Sequence, residues 1–159
     1  MRALLCSLPL LAIGLPVLAD DVPQYVDDRS TAVAVIQSFY NAIDRKEYAR
    51  AWSYYADGQG VPKFAAFQQG YATTAAVTVY FGTVTDDGAA GSTYYSVPVS
   101  LDATSTAGRH SYFAGCYTLR LANPAIQAAP PFQPLHIVSG KLGSAKGAGK
   151  TFVPKACPS

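Results

Sequence analysis

At Ala75 the hydrophobic period of the chain changes, and it changes once. Before that point apolar residues recur in steps of three and four; after it they alternate, which are the periods of one-faced helices and of half-buried strands. A chain patterned this way sets down its helices first and its sheet second. The expected fold class is α+β, with three N-terminal helices packed on a four-stranded antiparallel sheet.

Val33, Ile36, Tyr40 and Ile43 mark the first helix, behind a cap at Ser30. Asp44-Arg45-Lys46-Glu47 has the acid-x-x-Glu form of a capping box and introduces a shorter helix through Tyr48, Trp52 and Tyr55. That helix ends near Asp57 and Gly58, because glycine readily takes the left-handed conformation past a helix end. Pro62 suits the first turn of a third helix carrying Phe64, Phe67 and Tyr71, with Gly70 loosening its end. Four β-branched and aromatic runs follow: Val77 to Phe81, Tyr94 to Leu101, Tyr112 to Leu121, and Leu135 to Val138. Asp86-Asp87-Gly88 with Gly91, and Thr104 to Gly108, read as hairpin-like turns between them. Pro98 lacks a backbone donor, so its strand is expected at an edge or bulged there. Asn123 to Pro134 makes a longer crossing, and Gly140 to Lys150 reads as a flexible solvated loop.

The N-terminus constrains the rest. Arg2 precedes an apolar run from Ala3 to Leu18 that ends in Val17-Leu18-Ala19, the pattern of a cleavable secretory signal over residues 1–19. Pro9, Gly14, Pro16 and the following Asp20 and Asp21 suit it poorly to a membrane anchor, so no membrane span is expected after cleavage. Residues 20–29 form an extended lead-in, 30–143 the domain, and 144–159 a flexible tail. Loss of Cys6 leaves Cys116 and Cys157, which in an exported, periplasmic or secreted protein argues for a disulfide stapling that tail to the body. Two cysteines with distant His110 and His136 lack zinc-site spacing, so no metal or cofactor is expected. Gly143 to Thr151 resembles a phosphate loop but carries Ser144 where its first glycine belongs, and only eight residues follow it, too few for the helix it needs.

Without Arg2 the chain holds eleven bases and ten acids, too balanced for a nucleic-acid partner. All ten acids lie at or before Asp102, and six bases and no acid follow. Two readings stand: the halves attract one another in the fold, or the second half offers a basic face to an anionic ligand or envelope surface.

The segment Phe39 to Tyr55, an aromatic-ended helix meeting a short Glu-Tyr-x-x-Ala-Trp helix after a charged break, together with the helix-then-strand order, resembles the nuclear-transport-factor-2-like superfamily. The resemblance implies a cone: a curved sheet wrapped on the long helix, a pocket at its open end, and homodimerisation through the sheet. The same cone serves isomerases, hydratases, cyclases, transport adaptors and accessory domains, so it implies no single activity.

An acid/base member needs a carboxylate or imidazole inside the cone. Asp44 and Glu47 are absorbed by the capping box, leaving Asp57, Asp102 and His136, of which His136 is expected by alternation to face solvent or a partner. Tyr80, Tyr94, Tyr112 and Tyr117 are candidate ligand-binding residues, since tyrosine joins an apolar body to a polar tip. The preferred functional reading is a non-catalytic envelope binding module for a small molecule or envelope protein. A small isomerase- or cyclase-like enzyme, or an inhibitor- or immunity-type protein, remains open beside it.

Overall fold

The computed structural model describes residues 22–55 and 63–158. The expected signal at 1–19, Asp57 and Pro62 lie outside the described residues. Helix α1 spans Ala32–Asp44, and its cap is Thr31, whose Oγ1 accepts from the Ala34 N–H at 3.1 Å. Ser30, the expected cap, instead gives its own N–H to Asp28 at 2.8 Å. Val35, Ile36, Phe39, Tyr40 and Ile43 form the buried stripe of α1.

The capping box does not form. Asp44 still belongs to α1, so its N–H needs no reciprocal partner, and α1 closes beyond it. The Lys46 N–H bonds Ile43 O at 2.9 Å and the Glu47 N–H bonds Ala42 O at 2.8 Å, with Lys46 in the left-handed region at φ 61°. This is a Schellman closure, and it turns both carboxylates elsewhere. Glu47 holds Arg45 and Arg50 at 2.7 and 2.6 Å. Helix α2, Tyr48–Trp52, starts without a side-chain cap, and α3, Phe64–Tyr71, carries Gly70 in its last turn.

The sheet has five antiparallel strands rather than four: β1 Thr74–Phe81, β2 Thr85–Ala89, β3 Ser92–Ser105, β4 His110–Ala122 and β5 His136–Ser144. Their order is β1-β3-β4-β5, with β2 sharing the β1 flank of β3. Asp86-Asp87-Gly88, expected as a turn, is β2 itself. The turn lies one step later at Ala90-Gly91, whose φ values of 48° and 72° give the two consecutive left-handed residues that a tight hairpin requires.

Pro98 sits mid-strand in the central β3, not at an edge. Its carbonyl accepts from the Gly82 N–H at 2.9 Å, so its missing donor points to the same flank, where β1 has ended at Phe81 and β2 begins only at Thr85. Gly140–Ser144, expected as a solvated loop, is the second half of β5 and pairs with Phe113–Tyr117.

Register assigns the two faces. Val97, Val99 and Leu101 stand opposite Tyr117, Gly115 and Phe113 on the inner face, against α1. Alternate positions, including Pro98, Ser100, Cys116 and Lys141, occupy the outer face. The C-terminal segment lies across that outer face. Ser100 Oγ donates to Gly149 O at 2.8 Å and accepts from the Gly149 N–H at 3.1 Å. Cys116 is disulfide-bonded to Cys157.

At the other end of the chain, the lead-in runs antiparallel to α1. The Asn41 amide donates to Gln24 O at 2.8 Å and accepts from the Val26 N–H at 3.0 Å, as a neighbouring strand would. Arg50 adds a bond to Val26 O at 2.7 Å and stacks over Tyr25 at 4.4 Å. No helix among the described residues is long and apolar enough to cross a membrane.

Candidate functional site

Between α1, α3 and the inner sheet face lies a cavity of about 430 Å³. Phe67, Val77, Leu101, Phe113 and Leu142 give it an apolar wall, and Tyr40, Tyr55 and Tyr71 bring three phenols to it. Each phenol arrives for a different local reason. Tyr40 lies on the buried stripe of α1, Tyr55 follows α2 in a parallel bridge to Ile137, and Tyr71 closes α3 beside Phe67 with their rings 5.1 Å apart.

The hydroxyls define the chemistry. Tyr40 and Tyr117 share one hydrogen bond, oxygen to oxygen 2.5 Å, deep in the core. Only one proton can lie between them, and neither hydroxyl has another partner among the described residues. When Tyr117 donates, the Tyr40 proton is free for an acceptor in the cavity. Burial pushes both phenols well above the ordinary tyrosine range, with neighbouring tyrosines adding to the effect. Burial also raises Tyr55, and it pushes Tyr71 up to about 12. All four are therefore neutral at physiological pH, and the cavity offers hydrogen-bond donors rather than charges.

The expected site residues are scattered. Tyr80, Tyr94 and Tyr112 stand opposite Ser100, Arg120 and Asp102 on the outer face and do not line the cavity. Tyr117 is on the inner face, 2 % exposed, behind Tyr40. Asp102 is also on the outer face, where its Oδ1 meets His110 Nδ1 at 2.7 Å. His136 is not turned to solvent as alternation predicts; it is 5 % exposed, with Nδ1 2.8 Å from Pro134 O. The crossing from Asn123 to Pro134 folds back over the start of β5 and covers it, so His136 lines a small side cleft with Phe132 and Ser53. Among the described residues no group of three or more His, Cys, Asp or Glu could hold a metal ion.

Sequence reasoning passed over Tyr40, Tyr55 and Tyr71 because each fits a helical core period. The available signal was chemical: a core position filled by tyrosine needs a place for its hydroxyl, which phenylalanine does not. Sequence reasoning sets Asp44 aside as a capping-box residue. That carboxylate is half-buried between α1 and β1, accepts from the Val77 N–H at 2.9 Å, and has its pKa pushed up to about 6 by burial. It lines a cleft adjoining the cavity, with Tyr40 and Val77 common to both.

A raised carboxylate pKa has a definite sign. Below pH 4 Asp44 is protonated in both the folded and the unfolded chain and has no effect. Between pH 4 and 6 the unfolded chain loses this proton first, so stability falls as pH rises, and above 6 the penalty is constant. Asp44→Asn is expected to gain about 1–2 kcal/mol above pH 6, allowing for the solvent-open side of the group, and nothing below pH 4. Urea unfolding of both proteins at pH 3.5 and 7.5 reads the difference; an equal effect at the two pH values would remove ionisation as its cause.

No protein-family model matches this chain, and no curated protein matches it in sequence. Solved structures do match it in fold. A protein from Novosphingobium aromaticivorans provisionally described as an aromatic ring hydroxylase superimposes with a TM-score of 0.52 at 11 % identity, covering 74 % of this chain and 93 % of its own. A conserved protein from Planctomyces limnophilus gives 0.50 at 12 % identity, covering 71 % and 94 %. At such identities the likeness is of fold alone.

Proposed function

We propose that this chain is an exported, non-catalytic binding module of the nuclear-transport-factor-2-like kind. Its cavity would hold a small, largely apolar molecule bearing a hydrogen-bond acceptor such as a carbonyl. The observation that carries the reading is the cavity itself: an apolar space of about 430 Å³ into which neutral phenols project, with no carboxylate or imidazole among the described residues that line it. Three helices on a five-stranded sheet and the two matching folds support the superfamily; the disulfide and the N-terminal apolar run support export.

A proton-transfer enzyme needs a base where the substrate sits. Asp102 and His136 lie outside the cavity lining, and Asp44 opens to the neighbouring cleft. Binding is therefore the better-supported role.

Gly70 provides the test. It lies on the cavity wall, a Cβ built there meets nothing within 4 Å, and it sits in the last turn of α3, where glycine costs up to about 1 kcal/mol relative to alanine. Gly70→Leu is expected to melt no lower than the wild type while weakening the binding of small aromatic ketones and lactones at least tenfold, read by thermal shift and calorimetry. If no such compound stabilises the wild type, or if the variant binds as well, the cavity is not the site.

A further inference from the structure

Among the described residues, the lysines of the basic half make no ion pair with the acidic half. Among the described residues the carboxylate ion pairs are Asp27 with Arg29, Glu47 with Arg45 and Arg50, and Asp102 with His110. None involves Lys141, Lys146, Lys150 or Lys155, all four of which are exposed. Lys141 projects from the outer face opposite Cys116. The other three belong to the segment pinned across that face at Ser100 and Cys116. Phe152, 42 % exposed, lies in a single 3-10 turn between Lys150 and Lys155, its ring against Gly147. Tyr80, Tyr94 and Tyr112 border the same face, half-buried.

We propose that this outer face and its strapped C-terminal segment dock on the surface of an anionic phospholipid bilayer. Four exposed lysines without acidic partners, spread over fifteen residues, act as point charges on a broad field. An exposed phenylalanine amid them and tyrosines around them supply the amphipathic groups that settle at headgroup level. A specific acidic protein would be met by arginine forks or a concave pocket, whereas the two lysines that share a groove, Lys150 and Lys155, line an open one. The acids on this face are fewer than the four lysines: Asp102, hydrogen-bonded to His110, and Asp87 on the short β2 at the rim. The docking face is the opposite side of the sheet from the inner face that walls the cavity.

The experiment is co-sedimentation of the intact, oxidised protein with vesicles of pure phosphatidylcholine and of phosphatidylcholine with 30 mol % phosphatidylglycerol, at 50 and 500 mM salt. Binding is expected to the anionic vesicles alone and to collapse at the higher salt. Each Lys→Gln change among the four is expected to weaken it about fivefold, and the quadruple variant on the order of a hundredfold or more. Lys63→Gln, at the start of α3, is the control and should bind as the wild type. Thermal melts confirm that every variant is folded. Equal binding to neutral vesicles, no binding at low salt, an undiminished quadruple variant, or full competition by millimolar inorganic phosphate would each overturn the proposal.

Discussion

Gly115→Ala is expected to destabilise the protein by more than about 3 kcal/mol and to lower its melting temperature by roughly 10 °C. Gly115 lies on the inner face of β4 opposite Leu142, and the two strands approach so closely there that a Cβ would stand 2.0 Å from Lys141 O and 2.9 Å from Leu142 Cα. Both contacts are backbone, so no side-chain rotation can relieve them. β5 must move away, and its ladder to β4 and its contacts in the core go with it. Ala114, the adjacent residue on the outer face, is the matched control: Ala114→Gly removes a methyl and is expected to cost about 1 kcal/mol or less. A Gly115→Ala melting point within a few degrees of wild type would mean that β5 contributes little to the cooperative fold.

The second large effect is at the staple. Replacing Cys116 and Cys157 together by serine opens a loop of 41 residues, and on the chain-entropy account the unfolded state gains freedom equivalent to about 4 kcal/mol. Urea unfolding of wild type under oxidising and reducing conditions, beside the double variant, measures it. The reduced wild type and the variant should agree with each other, and the slope of free energy against urea should rise for both as their unfolded states expand. If the double variant were as stable as the oxidised protein, the bond to Cys157 would be an ornament of the surface.

How much of this was legible in the sequence depended on whether a residue's role was set by its neighbours in the chain or across space. The stripe on α1 and the alternation of β3 and β4 are local periods enforced by burial, and they led directly to the helices and the core of the sheet. Asp44 misled because its motif was locally sound; what overrode it was the closure of α1 around Lys46, a choice made by the preceding helix. β2 was lost because Asp86-Asp87-Gly88 has turn chemistry and every residue of the strand is exposed, so burial left no pattern to read. The strand tyrosines drew attention by clustering in sequence, while the phenols that meet at the cavity come from α1, from the bridge that follows α2, and from α3, and are joined only by the fold.

The interrupted flank at Pro98 has a consequence for how such a sheet can change over evolutionary time. β3 is one continuous strand, but on this side its hydrogen bonds are divided between two partners with a donor-free residue at the seam. Nothing in the pairing of β1 requires β2, and a loop insertion, a longer hairpin or the loss of β2 altogether would stop at the seam without disturbing the register beside the cavity. The proline acts as a partition: one flank of the sheet is free to diversify while the wall behind the ligand-sized space stays fixed.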